Sequence, residues 1–288
     1  MIKIKRHLKE INRKLNECDK SKFDFRLDQS ERTTLFEEEF FSNFLKTLKQ
    51  TDFITYPYLS DLKQKIAEYN NIKINNLFIT PGSDLCIKSM FELCVKPGNE
   101  VLSTSPCFPM YQVYSNLYQG HFKYVEYEQN LTYSIEKLCK LINRKTSLIL
   151  LANPNNPIGD YKNKEELKPL LKLTNTLGIP VLIDEAYAEF SPGTLKDLTF
   201  EYNNVCISRT FSKAWGGAGI RLGYMIGNSR IISYLSKWRL MHEATGIAAK
   251  YGCYLLDNKQ EMENYVSLVN KEKKILSNKL IEAGFDVI

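Results

Sequence analysis

"ISRTFSKAWGGAGIRLGY", residues 207–224, decides the reading of this chain. It starts as a strand, loosens at Gly216, Gly217 and Gly219, and sets one lysine, Lys213, among apolar, hydroxylic and glycine residues. Arg221 follows eight positions later. A solvated surface position is the ordinary fate of a lysine, and it fits poorly beside Phe211, Ala214 and Trp215. Desolvation and a neighbouring cation both favour the neutral amine. A neutral amine is a nucleophile toward an aldehyde, with which it forms a Schiff base.

Outward from this stretch, short β-rich runs alternate with helical patterns. "LFIT" (77–80), "EVLSTS" (100–105), "HFKYVEY" (121–127), "SLILLANP" (147–154), "IPVLIDEAY" (179–187), "NVCISRT" (204–210) and "RLGYMIG" (221–227) read as strands. "SDLCIKSMFELCV" and "NKEELKPLLKLTNTLG" read as helices, the second ending at Gly178, and the text from about Asn228 onward is helical. Alternating β and α units with nearly continuous apolar strands predict an α/β fold: a mainly parallel, mixed sheet covered by helices on both faces, three layers in all.

Ligands of such sheets sit at the carboxyl ends of the strands. Four polar clusters fall there: "TPGSD" (80–84), "NPNNPIG" (153–159), "DEAY" (184–187) and "SRTFSK" (208–213). The first is strand, Pro-Gly turn and helix. The first-turn amides of Ser83 and Asp84 suit an anion, although a plain N-cap explains the same residues. Arg221, Thr210 and Ser212 add a charge and two hydroxyls able to reach that anion, and a phosphate is the natural tenant. Asp184 closes a very apolar strand, where a carboxylate is costly unless a cation or strong donors meet it. Its bland role is a turn cap; its functional role is to hold a proton on a buried ligand. Tyr187 and Asn156 could donate to the same ligand, although "NPNN" alone is ordinary turn chemistry. An aldehyde with one phosphate, a ring nitrogen wanting an acid and a phenolic oxygen wanting donors is pyridoxal 5'-phosphate.

With these residues on the page, "SRTFSKAWGGAGIRLGY", "NPNNPIG" and "DEAYAEF" resemble, in order, three segments of the fold-type-I aminotransferases (class I and II), nearest to the histidinol-phosphate aminotransferase branch. The resemblance runs from about "ITYPYLSD" to the end of the sequence. It implies a large cofactor domain over 31–235, preceded by an N-terminal arm (1–30) and followed by a linking helix and the start of a small domain (236–288). It also implies that Lys213 carries the cofactor and shuttles a proton, that Asp184 keeps the ring nitrogen protonated, and that Tyr187 and Asn156 bond the ring oxygen. Ser83, Asp84, Thr210, Ser212 and Arg221 then form the phosphate cup. Phe108 stacks on the ring or packs in the core. Tyr56 reaches the phosphate of a neighbouring subunit in a homodimer with shared sites, or is a core tyrosine. Two departures stand out: "FRLDQSERTTLF" replaces an Asn-Glu-Ser-Pro-like stretch, and the sequence stops at "EAGFDVI" before the arginine that clamps the substrate carboxylate. A C-terminally incomplete small domain is therefore expected. Arg32, Arg230 and Arg239 do not sit in that arginine's context.

The expected activity is transamination between an amino acid or amino-acid phosphate and a 2-oxo acid. Decarboxylation of an amino-acid phosphate is the sister reading. A nicotinamide-dependent dehydrogenase fits worse, because after Gly217 and Gly219 the third glycine falls at 223, one place late for G-x-G-x-x-G. A non-catalytic homologue that keeps the fold is a further reading, opposed by the near-complete set of cofactor residues. Bulk properties agree. The net charge of +6 is mild and its lysines are interspersed with acids, which argues against nucleic acid. No apolar run is long enough to span a membrane. Seven cysteines without a CxxC pair, behind a charged amphipathic N-terminus, suit reduced thiols in a cytoplasm. Three scattered histidines give no zinc spacing, and no metal is expected.

Overall fold

A computed structural model describes residues 4–9, 11, 22 and 27–287. Seven strands form one sheet: β1 (Leu77–Thr80), β2 (Glu100–Ser105), β3 (His121–Glu126), β4 (Thr146–Ala152), β5 (Val181–Asp184), β6 (Val205–Thr210) and β7 (Gly223–Gly227), in the order β1-β7-β6-β5-β4-β2-β3. Only β7 runs against its neighbours β1 and β6; the other pairings are parallel. All seven expected strands are present, with ends moved by at most a few residues.

The central strands are apolar on both faces because each face has its own core. Ile149, Leu151, Val181, Ile183, Val205 and Ile207 face one cluster, while Leu148, Leu150, Leu182 and Cys206 face the other. That period-two division is what a sheet covered by helices requires. On one side pack the helix Ser60–Asn70, the helix Lys164–Leu177 with its Asn163/Glu166 capping box, and the helix Gly246–Asp257. On the other pack Ser83–Cys94, Met110–Leu117 and Ser229–Leu235.

The helical text after Asn228 is not continuous. Helix Ser229–Leu235 stops, and 236–245 is irregular, with Trp238, Leu240 and Met241 facing outward. The chain re-enters a helix at Thr245, whose hydroxyl accepts from the Ala248 amide. Apolar spacing persists through the break, but Trp238, Leu240 and Met241 have no core to bury against, so their burial does not favour a helix there.

Register gathers the polar clusters. Ala152 pairs with Asp184, Asp184 with Ser208, and Thr210 and Thr80 both with Gly223, so the ends of β4, β5, β6 and β1 share one edge. Beneath it lies a buried ion pair: Arg209 donates through Nε (3.0 Å) and Nη2 (2.8 Å) to Glu185 Oε2, and through Nη1 to Asn70 Oδ1 (3.3 Å). Removing one partner of such a pair strands the other in a low-dielectric core. Glu185→Ala is expected to lower unfolding stability by about 3–5 kcal/mol, read as the shift of a urea melt.

Candidate active site

A cleft of about 690 Å³ opens at this edge, a size suited to a small organic ligand. Ser83, Asp84, Phe108, Asn156, Asp184, Tyr187, Thr210, Ser212, Lys213 and Arg221 all line it. Of the expected site residues only Tyr56 lies elsewhere. Tyr56 is 80% exposed, so the core-tyrosine alternative fails; its ring stacks on His242 (4.3 Å, 9°) at the rim of another cleft.

Asp184 is 5% exposed. Its Oδ1 accepts from Ser208 Oγ (2.9 Å) and its Oδ2 from Tyr111 Oη (3.2 Å); among the described residues no ion pair to it is found. Burial pushes its carboxyl up to about 6, although Ser208 and Tyr111 pull the other way, and Asp84 pushes it up further. An acid held by neutral donors only, and facing a cleft, is built for an N–H-bearing cation that the chain does not supply.

The "NPNNPIG" loop divides its asparagines by task. Asn153 clamps both backbone groups of Lys162 (Oδ1 from the amide, 2.7 Å; Nδ2 to the carbonyl, 3.0 Å), and Asn155 Oδ1 accepts from the Ile158 amide (3.1 Å). Those two hold the loop, which leaves Asn156 Nδ2 to donate to Tyr187 Oη (2.9 Å). Lys213 Nζ sits 5.4 Å from the Tyr187 ring centroid and donates to the Gln29 carbonyl (2.6 Å). The lysine is half-buried rather than sealed from water.

At the other end of the cleft Arg221, in the left-handed region at φ 51°, turns its guanidinium back on the loop, donating to Ser212 Oγ (3.3 Å) and the Ala218 carbonyl (3.1 Å). Gly82 lets it lie against the start of the helix Ser83–Cys94: a Cβ there would stand 2.7 Å from Arg221 Nη2. Unpaired first-turn amides, a helix dipole and a guanidinium converge on one point, which suits a phosphate. The Ser212 amide donates to Thr210 Oγ1 (3.1 Å), so Thr210 shapes the loop as well as facing the cleft. Asp84 turns its Oδ2 to Tyr114 Oη (2.8 Å), and any contact it makes with an anion falls to its backbone. The phosphate end, the lone buried acid and the amine therefore fit pyridoxal phosphate.

Two participants were not legible in the sequence. Tyr111, fully buried behind Asp184, is spaced like any core aromatic of its helix. Gln29 acts through its carbonyl, which no side-chain pattern announces. Phe108 lines the cleft and meets Tyr111 edge to face at 5.9 Å.

Known proteins agree with this geometry. The family model "Aminotransferase class I and II" matches residues 28–288. A histidinol-phosphate aminotransferase of Pyrococcus furiosus is 30% identical over 261 residues, covering 90% of this chain and 75% of that protein. One of Caldanaerobacter subterraneus is 27% identical over 263 residues, covering 90% and 74%. Among solved structures, the histidinol-phosphate aminotransferase of Sinorhizobium meliloti in complex with pyridoxal-5'-phosphate matches with TM-score 0.79 at 21% identity, covering 89% of this chain and 70% of that one. An aspartate aminotransferase double mutant of Thermus thermophilus matches with TM-score 0.85 at 18% identity, covering 99% and 82%.

The Asp184 environment makes a prediction for the protein without cofactor. Its folded pKa lies above the ordinary 3.8, so its contribution is fully present below pH 4 and is lost as pH rises through about 6. Asp184→Asn carries no such cost. The variant is expected to match wild type near pH 4 and exceed it by about 2–3 kcal/mol at pH 7.5, measured by urea melts of the apo proteins across that range. Tyr111→Phe, which removes a donor to the carboxylate, is expected to move the wild-type transition to higher pH. By its sequence family and by the cleft described, the chain belongs to the class I and II aminotransferases, pyridoxal-phosphate-dependent transaminases.

Proposed function

We propose that this aminotransferase moves an amino group between an amino acid or amino-acid phosphate of the histidinol-phosphate type and a 2-oxo acid. The observation that carries the reading is the convergence of Lys213 and Asp184 on one cleft that ends at Arg221 and a helix N-terminus. When bound, pyridoxal phosphate supplies a ring that withdraws electrons from the amino acid's α-carbon. Lys213 would hold it through Nζ and, once freed, move a proton at that nitrogen to and from the α-carbon. Asp184 would hold a proton at the ring nitrogen, backed by Tyr111 and Ser208. Tyr187 and Asn156 would orient donors toward the ring oxygen, and Phe108 would cover one face. Arg221, Ser212, Thr210 and the amides of Ser83 and Asp84 would offset the phosphate charge. The phosphate class of substrate rests on the relatives' names.

The same reading includes a homodimer and a cytoplasmic setting. Phe53, Ile54, Tyr56 and Tyr58 form an exposed apolar run, as a subunit contact would leave on a lone chain. Tyr56 would cross that contact to the partner's phosphate site. Supporting the setting, the described cysteines are all free thiols and no described helix is long and apolar enough to cross a membrane.

Added pyridoxal phosphate should give the protein a violet-edge absorption band, and borohydride should then fix a pyridoxyl group on Lys213, found by peptide mapping. A protein that takes up no cofactor defeats the reading. Lys213→Ala should lose the covalent adduct while still binding the cofactor. Arg221→Ala should weaken cofactor binding about 10- to 100-fold, the cost of a charge-assisted hydrogen bond. With histidinol phosphate, consumption of the 2-oxo acid supports transamination. Release of carbon dioxide from serine phosphate would replace it with decarboxylation.

A further inference from the structure

Arg32 is the one arginine of the expected set that the cofactor site does not absorb and that the fold nonetheless buries. Its side chain is 8% exposed. The guanidinium lies 4.0 Å from the Phe36 ring centroid and 4.6 Å from that of Tyr265, and Nη2 donates to Glu261 Oε1 at 2.8 Å. Nε donates to the Thr34 carbonyl at 3.1 Å, while Nη1 is buried without a hydrogen-bond partner. Burying a cation with one donor unmet is costly, and two aromatic faces and a carboxylate are what offset it. Glu261 and Tyr265 both belong to the helix Lys259–Glu282, so the cage ties the segment at Arg32 to a helix more than two hundred residues away.

The same cage touches the turn that carries Lys213. Gly216, at φ 68°, donates its amide to the Lys213 carbonyl (2.9 Å), and a Cβ on it would stand 2.7 Å from Phe36 Cζ and 2.9 Å from Arg32 Cδ. Immediately before Arg32, residues Leu27–Ser30 run along the cleft, turn at Ser30 (φ 49°), and present the Gln29 carbonyl to Lys213 Nζ. These four residues are exposed.

We propose that Arg32 is a positioning residue for Lys213: its aromatic and carboxylate cage holds the strap Leu27–Ser30 across the cleft, and the seated strap governs access to the lysine amine. A carbonyl oxygen accepts from an N–H and offers nothing to a lone pair, so the seated strap engages the amine as a donor. An amine that donates one N–H keeps its lone pair, so the strap bears on reaction at Nζ by fixing where the amine points and by lying across the approach to it. The importance of that amine rests on the function proposed above; the cage and strap do not.

The experiment therefore uses the cofactor-free full chain and a small acylating probe, isotopically labelled acetic anhydride. Lys213 modification is quantified by peptide mass spectrometry against the exposed Lys271 as internal reference. Arg32→Met, which keeps a flexible stem but loses the charge and the planar fork, is expected to raise the Lys213 rate up to about tenfold, the weight of one desolvated cation–π contact. Glu261→Gln, which leaves both rings in place, should raise it less, and Arg32→Lys should fall between wild type and Arg32→Met. Hydrogen exchange of the 27–31 amides should rise in the same order. A folded Arg32→Met whose Lys213 rate and strap exchange equal wild type overturns the proposal. If Arg32→Met does not fold, the Glu261→Gln comparison decides on the same terms. Absence of cofactor uptake in wild type would defeat the proposed function and leave this labelling result standing.

Discussion

A buried carboxylate at the end of β5, facing the cleft with no cation beside it among the described residues, is the constraint around which this fold is arranged. Hydroxyls from Tyr111 and Ser208 hold Asp184 without neutralising it. A core does not retain such a group for stability, since an apolar residue of similar volume would pack there at lower cost. One residue along, the buried acid Glu185 is answered by Arg209 through two hydrogen bonds and an ion pair. Two acids adjacent in sequence, one ending β5 and one just past it, thus receive opposite treatment. The inner one is balanced within the protein; the one at the cleft is left for a ligand to balance.

Strand register turns that local imbalance into a site. Because β4, β5 and β6 are parallel and in step, their carboxyl ends deliver the "NPNNPIG" loop, Asp184 and the Lys213 loop to one edge. The antiparallel β7 brings Arg221 back to the same edge beside the end of β1. That end of the cleft is therefore assembled from the first and last strands in chain order, which are neighbours in the sheet, and Gly82, at φ 79°, lets the two meet.

The sheet was legible because its signal is redundant: continuous apolar runs bounded by Pro, Gly and Asn, each backed by two cores. The cleft residues were legible because they sit where those runs end. Legibility failed where a residue's task is set by tertiary placement. Tyr111 keeps the spacing of a core aromatic, and only its hydroxyl, aimed at Asp184, sets it apart. The Gln29 carbonyl carries no side-chain signature at all. Tyr56 could be read as buried or as reaching outward from sequence, and only the fold chooses. The stretch 236–245 kept a helical pattern without a helix, since apolar periodicity stabilises turns only when something covers the apolar side.

A division of labour follows from how these parts are held. The cleft residues at the sheet edge hang from strand ends locked by ladder hydrogen bonds and two buried cores, and so are fixed to within the play of side chains. The strap beside Lys213 lies outside the sheet, next to a caged arginine and hydrogen-bonded to the lysine amine. Under the proposed function a rigid edge serves the proton moved at Lys213 and the proton held beside Asp184, because both groups must keep their aim. A lightly held strap is what admission of successive ligands requires, because each must displace it. Under the proposed function two substrates visit the cleft in turn, and the strap and the long helix that meets Arg32 both lie outside the sheet. On that reading the departure of "FRLDQSERTTLF" from the Asn-Glu-Ser-Pro-like stretch bears on which ligands enter and how fast, because the strap lies within it, and leaves the chemistry at the strand ends alone.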